Sequence, residues 1–174
     1  MLEPLVPAHA EALFTGFADP RLYPYIPTDP PASIDALRDR CRRLATRASP
    51  DGRERWLNWA ARLAAAPIYV GLFEATVRPD ATASLAYFVF SEHARRGDGV
   101  EGGGAVVDHL FESVRVGAVR ANIDTRNLAS IRLIERLGFV QKSLVIQADH
   151  FKGAASDELV FVRLEETIDP SSLP

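Results

Sequence analysis

The stretch "ANIDTRNLASIRLIERLGF", residues 121–139, decides how the fold is read. It opens strand-like, passes through the polar knot Asp124-Thr125-Arg126-Asn127 and becomes a helix that stops at Gly138-Phe139. Asn127 fits an N-cap, whose side-chain oxygen satisfies a free amide of the first helical turn, and Ser130 falls within that turn. Gly138 fits a left-handed C-terminal cap, with Phe139 turning into the core. Around this unit the pattern alternates: a helix over 100–114, a strand over 118–123, the helix 127–137, then strands near 140–149 and 158–165. Upstream, "WLNWAARL" (56–63), "IYVGLFEATV" (68–77) and "ASLAYFVF" (83–90) read as three strands of an antiparallel meander, the last two joined by the turn Arg78-Pro79-Asp80. An antiparallel sheet that continues into a βαβ crossover is a mixed α/β sheet.

Before the meander, residues 7–18 read as a helix with Pro7 in its first turn and Ala10, Leu13, Phe14 and Phe17 on its apolar face. The proline-rich loop "DPRLYPYIPTDPPAS" (19–33) leads to Ser33, which can cap a second helix through about Thr46. Cys41 shares the apolar side of that helix with Ile34, Leu37 and Leu44, so it reads as a small buried hydrophobe; a lone cysteine has no internal disulfide partner. No repeat, low-complexity tract or linker divides the chain, and 174 residues fit a single domain, 1–174, able to bury about 70% of its unfolded surface.

Composition narrows the function classes. With 47% hydrophobic and 25% charged residues and a pI near 5.8, the chain has no polyanion-binding character, and no nucleic-acid partner is expected. The N-terminus lacks a basic region followed by an apolar run, and no stretch approaches the ~20 apolar residues of a membrane span; the expectation is a cytoplasmic protein with no membrane partner. Histidines 9, 93, 109 and 150 lack metal-ligand spacing, so no metal is expected. Trp56 and Trp59 read as core or sheet-face packing.

The densest glycine run, "SEHARRGDGVEGGGAVVDHLF", lies between the third strand and the next helix. Backbone amides there can approach and point at a ligand, and at a helix N-terminus they bind phosphate. A flexible surface turn is the bland alternative. Gly97 to Gly102 also spell the dinucleotide fingerprint G-x-G-x-x-G, with Asp124 about 20 residues on. That fingerprint places its first glycine at the very end of a parallel strand, whereas "SEHARR" separates Phe90 from Gly97 and the preceding strand belongs to a meander.

The arrangement resembles the GNAT superfamily of acetyl-CoA-dependent N-acetyltransferases, in particular its RimJ/RimL-like branch. Gly97 and Gly99 match the last defined positions of the family's Q/R-x-x-G-x-G/A pyrophosphate loop, and Asn127, Ser130 and "LGF" at 137–139 match its Asn-x-x-Ser helix closed by Gly-Phe. The resemblance implies a GNAT-like mixed, mostly antiparallel twisted sheet flanked by helices. It also implies transfer of an acetyl group from acetyl-CoA to an amine by direct attack. The implied cofactor contacts are Val89, Phe90, Arg95, Arg96, Gly97, Gly99, Val100 and Asn127, with an oxyanion donor from the backbone near Val89 and Phe90, where the family's fourth strand bulges. Ser130 and Asp149 match residues assigned acid and base roles in the branch, while Asn127 reads equally as a plain cap and Asp149 as a solvated strand-end charge. The tyrosine that often serves as acid elsewhere is replaced by Ile134.

Tyr23 and Tyr25 would border the acceptor site. The resemblance implies as acceptor an amine on a small molecule or a protein N-terminus, and the chain would be a monomer or homodimer. Ala94 and Arg95 depart from the loop pattern, and glycines 102–104 stand where helix formers are usual, which predicts a reshaped loop and a loosened helix end. Between residues 94 and 136 seven arginines face six acids, so amides and one or two placed arginines, not bulk field, would hold the phosphates. A CoA-binding module without turnover is the competing class.

Overall fold

Burial along residues 72–77 alternates between two cores: Phe73, Ala75 and Val77 enter one apolar cluster and Leu72 enters another on the opposite face, as the two-residue period of a strand requires. The phase shifts at Gly71, where the register with the neighbouring strand is irregular and Val70 joins the first cluster. The computed structural model describes residues 1–165. Seven strands form one sheet: β1 (Leu2–Pro4), β2 (Arg55–Arg62), β3 (Tyr69–Val77), β4 (Thr82–Val89), β5 (Ala118–Asp124), β6 (Val140–Phe151) and β7 (Ala154–Leu164). Their order is β1-β2-β3-β4-β5-β7-β6. Every neighbouring pair is antiparallel except β4 with β5. The result is the expected mixed, mostly antiparallel α/β sheet flanked by helices, with the meander at β2-β3-β4. The short strand β1, paired with β2 through Leu2↔Ala61 to Pro4↔Trp59, is an addition to the expected elements.

Helices α1 (Ala10–Phe17) and α2 (Ile34–Leu44) cover one face through Leu13, Phe17, Leu37 and Cys41. Ser33 caps α2, its hydroxyl accepting from the Ala36 amide at 3.1 Å. Ile34, expected on the apolar face, is exposed, because as the first helical residue it lies beyond the contact with α1 and the sheet. The opposite face carries α3 (Asp98–His109), extended by a π turn over Leu110–Val114, and α4 (Leu128–Arg136).

The glycines of α3 do not loosen it. A Cβ on Gly102 would lie 2.5 Å from the Phe73 ring, and one on Gly103 2.8 Å from Leu137 Cδ1. One on Gly99 would lie 2.6 Å from Leu133 Cδ1. The missing side chains let α3 sit directly on the sheet and on α4, so the expectation of a loose helix end is corrected: the cost in helix propensity is offset by close packing.

Candidate functional site

The parallel pairing of β4 with β5 is confined to Thr82–Ser84 against Ala118–Arg120, although the strands run on to Val89 and Asp124. Beyond that point they part, and a strand edge without a neighbour leaves its amides and carbonyls free. The Phe90 amide donates to Val70 O at 2.8 Å on the β3 side. Peptide directions alternate along a strand, so the Val89 amide points the other way, into the opening. This corrects the expectation for Phe90: its amide is committed and its ring is buried in the second core. The expected bulge is also not a break with β3, since that register is continuous from Gly71↔Val89 to Val77↔Ala83. Tyr87 bridges the gap, its hydroxyl donating to Ser130 O at 3.1 Å; burial pushes its pKa up to about 12.

At the head of α3, Gly97 is the N-cap with φ +97°, and nothing lies near the space a Cβ would fill, so its backbone angle alone selects glycine. Arg95 also takes a positive φ, +64°, at the position where the resembling loop has glycine. Arg95 and Arg96 are exposed. The amides of Val100 and Glu101 both donate to Gly97 O, at 2.9 and 3.0 Å. Val100 therefore offers a side chain rather than an amide. Among the described residues, no hydrogen bond is donated by the amides of Arg95 through Gly99. Those five amides precede and begin a helix whose dipole favours an anion. His93 Nδ1 is buried there without a hydrogen bond, 3.7 Å from an Asp98 carboxylate oxygen.

The knot at the head of α4 is built around Asp124. Its carboxylate accepts from the Arg126 amide and Nε, both at 2.8 Å, from Arg126 Nη2 at 2.5 Å, and from the Ser156 hydroxyl at 2.7 Å. The Arg126 guanidinium beside it holds the Asp124 pKa down at about 2 against the opposing effect of burial. Asn127 Oδ1 accepts from the Ser130 amide at 3.1 Å, which is the capping geometry. Its Nδ2 makes no hydrogen bond among the described residues. Gly138, at φ +78°, ends the helix as expected.

Asp149 is exposed and lies opposite Ser156 in the β6–β7 register. Directly opposed residues share a sheet face, so Asp149 lies on the face of Ser156 and Asp124, away from α3 and α4. Ser130, on α4, approaches from the other side, and the two make no direct hydrogen bond. Asp149 instead accepts from the His150 amide at 2.7 Å. Tyr23 is corrected to a core residue: it is 4% exposed and its hydroxyl donates to Phe17 O at 2.7 Å. It has no free phenol for a substrate. Tyr25 is exposed, with its ring centroid 6.0 Å from the Arg126 guanidinium carbon.

Three residues of this region escaped sequence reasoning. Tyr87 sits in an ordinary strand pattern; Ser156 meets Asp124 only through a pairing of distant strands. Lys152 donates to three loop carbonyls, and the one available hint was Lys-Gly between two strand-like runs. Among the described residues, no group of three or more His, Cys, Asp or Glu is placed to hold a metal ion, and no helix is long and apolar enough to cross a membrane.

The sequence profile of the acetyltransferase (GNAT) domain matches residues 1–140. The Probable N-acetyltransferase YjcK of Bacillus subtilis (strain 168) is 28% identical over 95 residues, 55% of this chain and 52% of that protein. The match thus spans about half the length of that curated relative. A crystal structure from T. thermophilus, described as an acetyltransferase, is 26% identical, with 95% of this chain and 85% of that one covered and a TM-score of 0.76. Mycobacterium smegmatis RimJ in complex with CoA-disulfide is 20% identical, with 95% of this chain and 81% of that one covered and a TM-score of 0.84; at that identity the likeness is one of fold.

Proposed function

The chain belongs to the GNAT acetyltransferase family, and from that premise we propose that it moves an acetyl group from acetyl-CoA to a primary amine in the opening between β4 and β5. The observation that carries this reading is the run of uncommitted amides, Arg95 to Gly99, at the head of α3 beside the open edge of β4. Amides so aligned bind a pyrophosphate, with Arg95, Arg96 and the Nδ2 of Asn127 as additional donors. The apolar wall of Val89 and Val100 suits the rest of the donor chain.

In the reaction, the amine nitrogen forms a bond to the thioester carbonyl carbon, the oxyanion is met by the Val89 amide, and the carbon–sulfur bond breaks. Asp149 accepts the proton of the incoming amine, directly or through water, and Ser130 supports the departing thiolate from the opposite face. The acceptor is a protein α-amine or a small-molecule amine, and we assign the chain to the RimJ/RimL-like branch as a single cytoplasmic domain. RimJ of M. smegmatis, bound to a CoA derivative, is the precedent for the cofactor.

The dinucleotide reading is disfavoured by the turn Ser91–His93, which separates β4 from Gly97. Melting curves with acetyl-CoA and with NAD test the choice. A ligand that binds only the folded state, at 100 times its dissociation constant, adds about 2.7 kcal/mol of stability. A rise with acetyl-CoA alone is expected; a rise with NAD alone would reverse the assignment.

A further inference from the structure

The turn joining β6 to β7 consists of Lys152 and Gly153, with φ values of +52° and +77°. Two positive φ angles make a type I′ hairpin turn, for which Asn-Gly, Asp-Gly or Gly-Gly is the undemanding choice. A lysine held in the left-handed region is strain that the turn does not require. The reason lies at the other end of the side chain. Lys152 Nζ donates to Tyr23 O at 2.5 Å, Thr28 O at 3.0 Å and Ile26 O at 3.1 Å, with Asp29 Oδ1 at 3.5 Å. An ammonium has three donors, and all three are committed to one short arc of the loop between α1 and α2.

That arc crosses the open ends of the strands. On the β4 side the Tyr23 ring lies 6.2 Å from Phe88; over the end of β5, Tyr25 lies against Arg126, which is itself clamped to Asp124. Asp149, three residues before Lys152, is on this same sheet face. The loop, the hairpin turn and the knot therefore meet at the face of the opening away from α3 and α4, where no amide of the α3 head is involved.

We propose that Lys152 is a positioning residue for the acceptor: by tying residues 23–28 across the mouth of the opening, it shapes the side from which the amine enters and leaves the acetyl-donor side untouched. This inference rests on the acetyl-transfer reading. Its test uses Lys152→Asn, which gives the turn a favoured residue while removing the tie, and Lys152→Arg, which keeps a cation of similar reach.

Hydrogen exchange at residues 23–28 is compared in all three proteins. Amine-dependent thiol release is followed with n-butylamine and with a tetrapeptide bearing a free α-amine, and the acetyl-CoA dissociation constant is taken from melting shifts. Lys152→Asn should melt no lower than the unmodified chain, exchange the loop amides at least tenfold faster, and raise the amine KM at least fivefold. Its acetyl-CoA dissociation constant should stay within twofold, and Lys152→Arg should recover part of the loss. Unchanged loop exchange would overturn the proposal, as would an acetyl-CoA dissociation constant that rises together with the amine KM. A chain that binds no acetyl-CoA would sink the acetyl-transfer reading instead, and the exchange comparison would still decide whether Lys152 holds the loop.

Discussion

Asn127 uses one end of its side-chain amide for structure: Oδ1 caps α4 through the Ser130 amide, and Nδ2, without a hydrogen bond among the described residues, is the donor proposed for the cofactor. Asn127→Ala should cost about 1 kcal/mol of stability, as cap losses do, while Asn127→Ser should restore most of it. If the serine variant also retained full acetyl-CoA affinity by the same melting assay, Nδ2 would have no part in binding. Asp124 leads to a pH prediction. Its pKa is about 2 in the fold against an ordinary 3.8, so the folded state takes up its proton later than the unfolded chain does. The resulting stabilisation is complete above pH 3.8 and is lost as pH falls toward 2. Denaturation of Asp124→Asn should show a flatter decline of stability across that window; a decline as steep as that of the unmodified chain would assign acid sensitivity elsewhere. The cap at Asn127 was legible because it depends on residues three apart. The Asp124 clamp was legible only as a polar knot, because Ser156 is 32 residues away and reaches it through strand pairing that no local pattern encodes.

At the level of elements, the order of β2 to β7 and of the helices followed from hydrophobic periodicity and cap residues, whereas β1 went unread; β6 and β7 run longer than expected at their shared turn, and α1, α2 and α4 are shorter. What the sequence left open was contact between elements. The glycine run of α3 is the clearest case: read locally, it weakens a helix, yet in the fold it permits the approach of Phe73 and Leu137. A contrast between neighbours follows. Gly104→Ala places its Cβ 3.8 Å from Leu137, an ordinary contact, and should stabilise by up to about 1 kcal/mol through helix propensity. Gly102→Ala places its Cβ 2.5 Å from the Phe73 ring and should destabilise by about 1–3 kcal/mol through overpacking. Urea denaturation of both variants checks this; equal and favourable changes would mean that the helix does not depend on close approach. Tyr23 failed as a site residue for the same reason, since its place in a proline-rich loop gave no sign that its hydroxyl would be taken by Phe17 O.

For the molecule as a whole, the architecture places two helix heads at the divergence of β4 and β5, α3 following β4 and α4 following β5, both on one sheet face. α3 brings uncommitted amides and α4 brings the capped turn with Ser130; the far sheet face brings Asp149 and the loop held by Lys152. On the proposed reading, this division of faces lets donor and acceptor enter separately; whether turnover follows, rather than CoA binding alone, is what an assay of the reaction decides. The direct measurement is thiol release from acetyl-CoA by the purified chain, followed with a thiol reagent in the presence and absence of primary amines. Amine-dependent release that saturates with both acetyl-CoA and amine, with the acetyl group recovered on the amine nitrogen, is the predicted result. Saturable binding of acetyl-CoA with no release above the amine-free rate, across small-molecule and peptide amines, would contradict it and leave a CoA-binding module in its place.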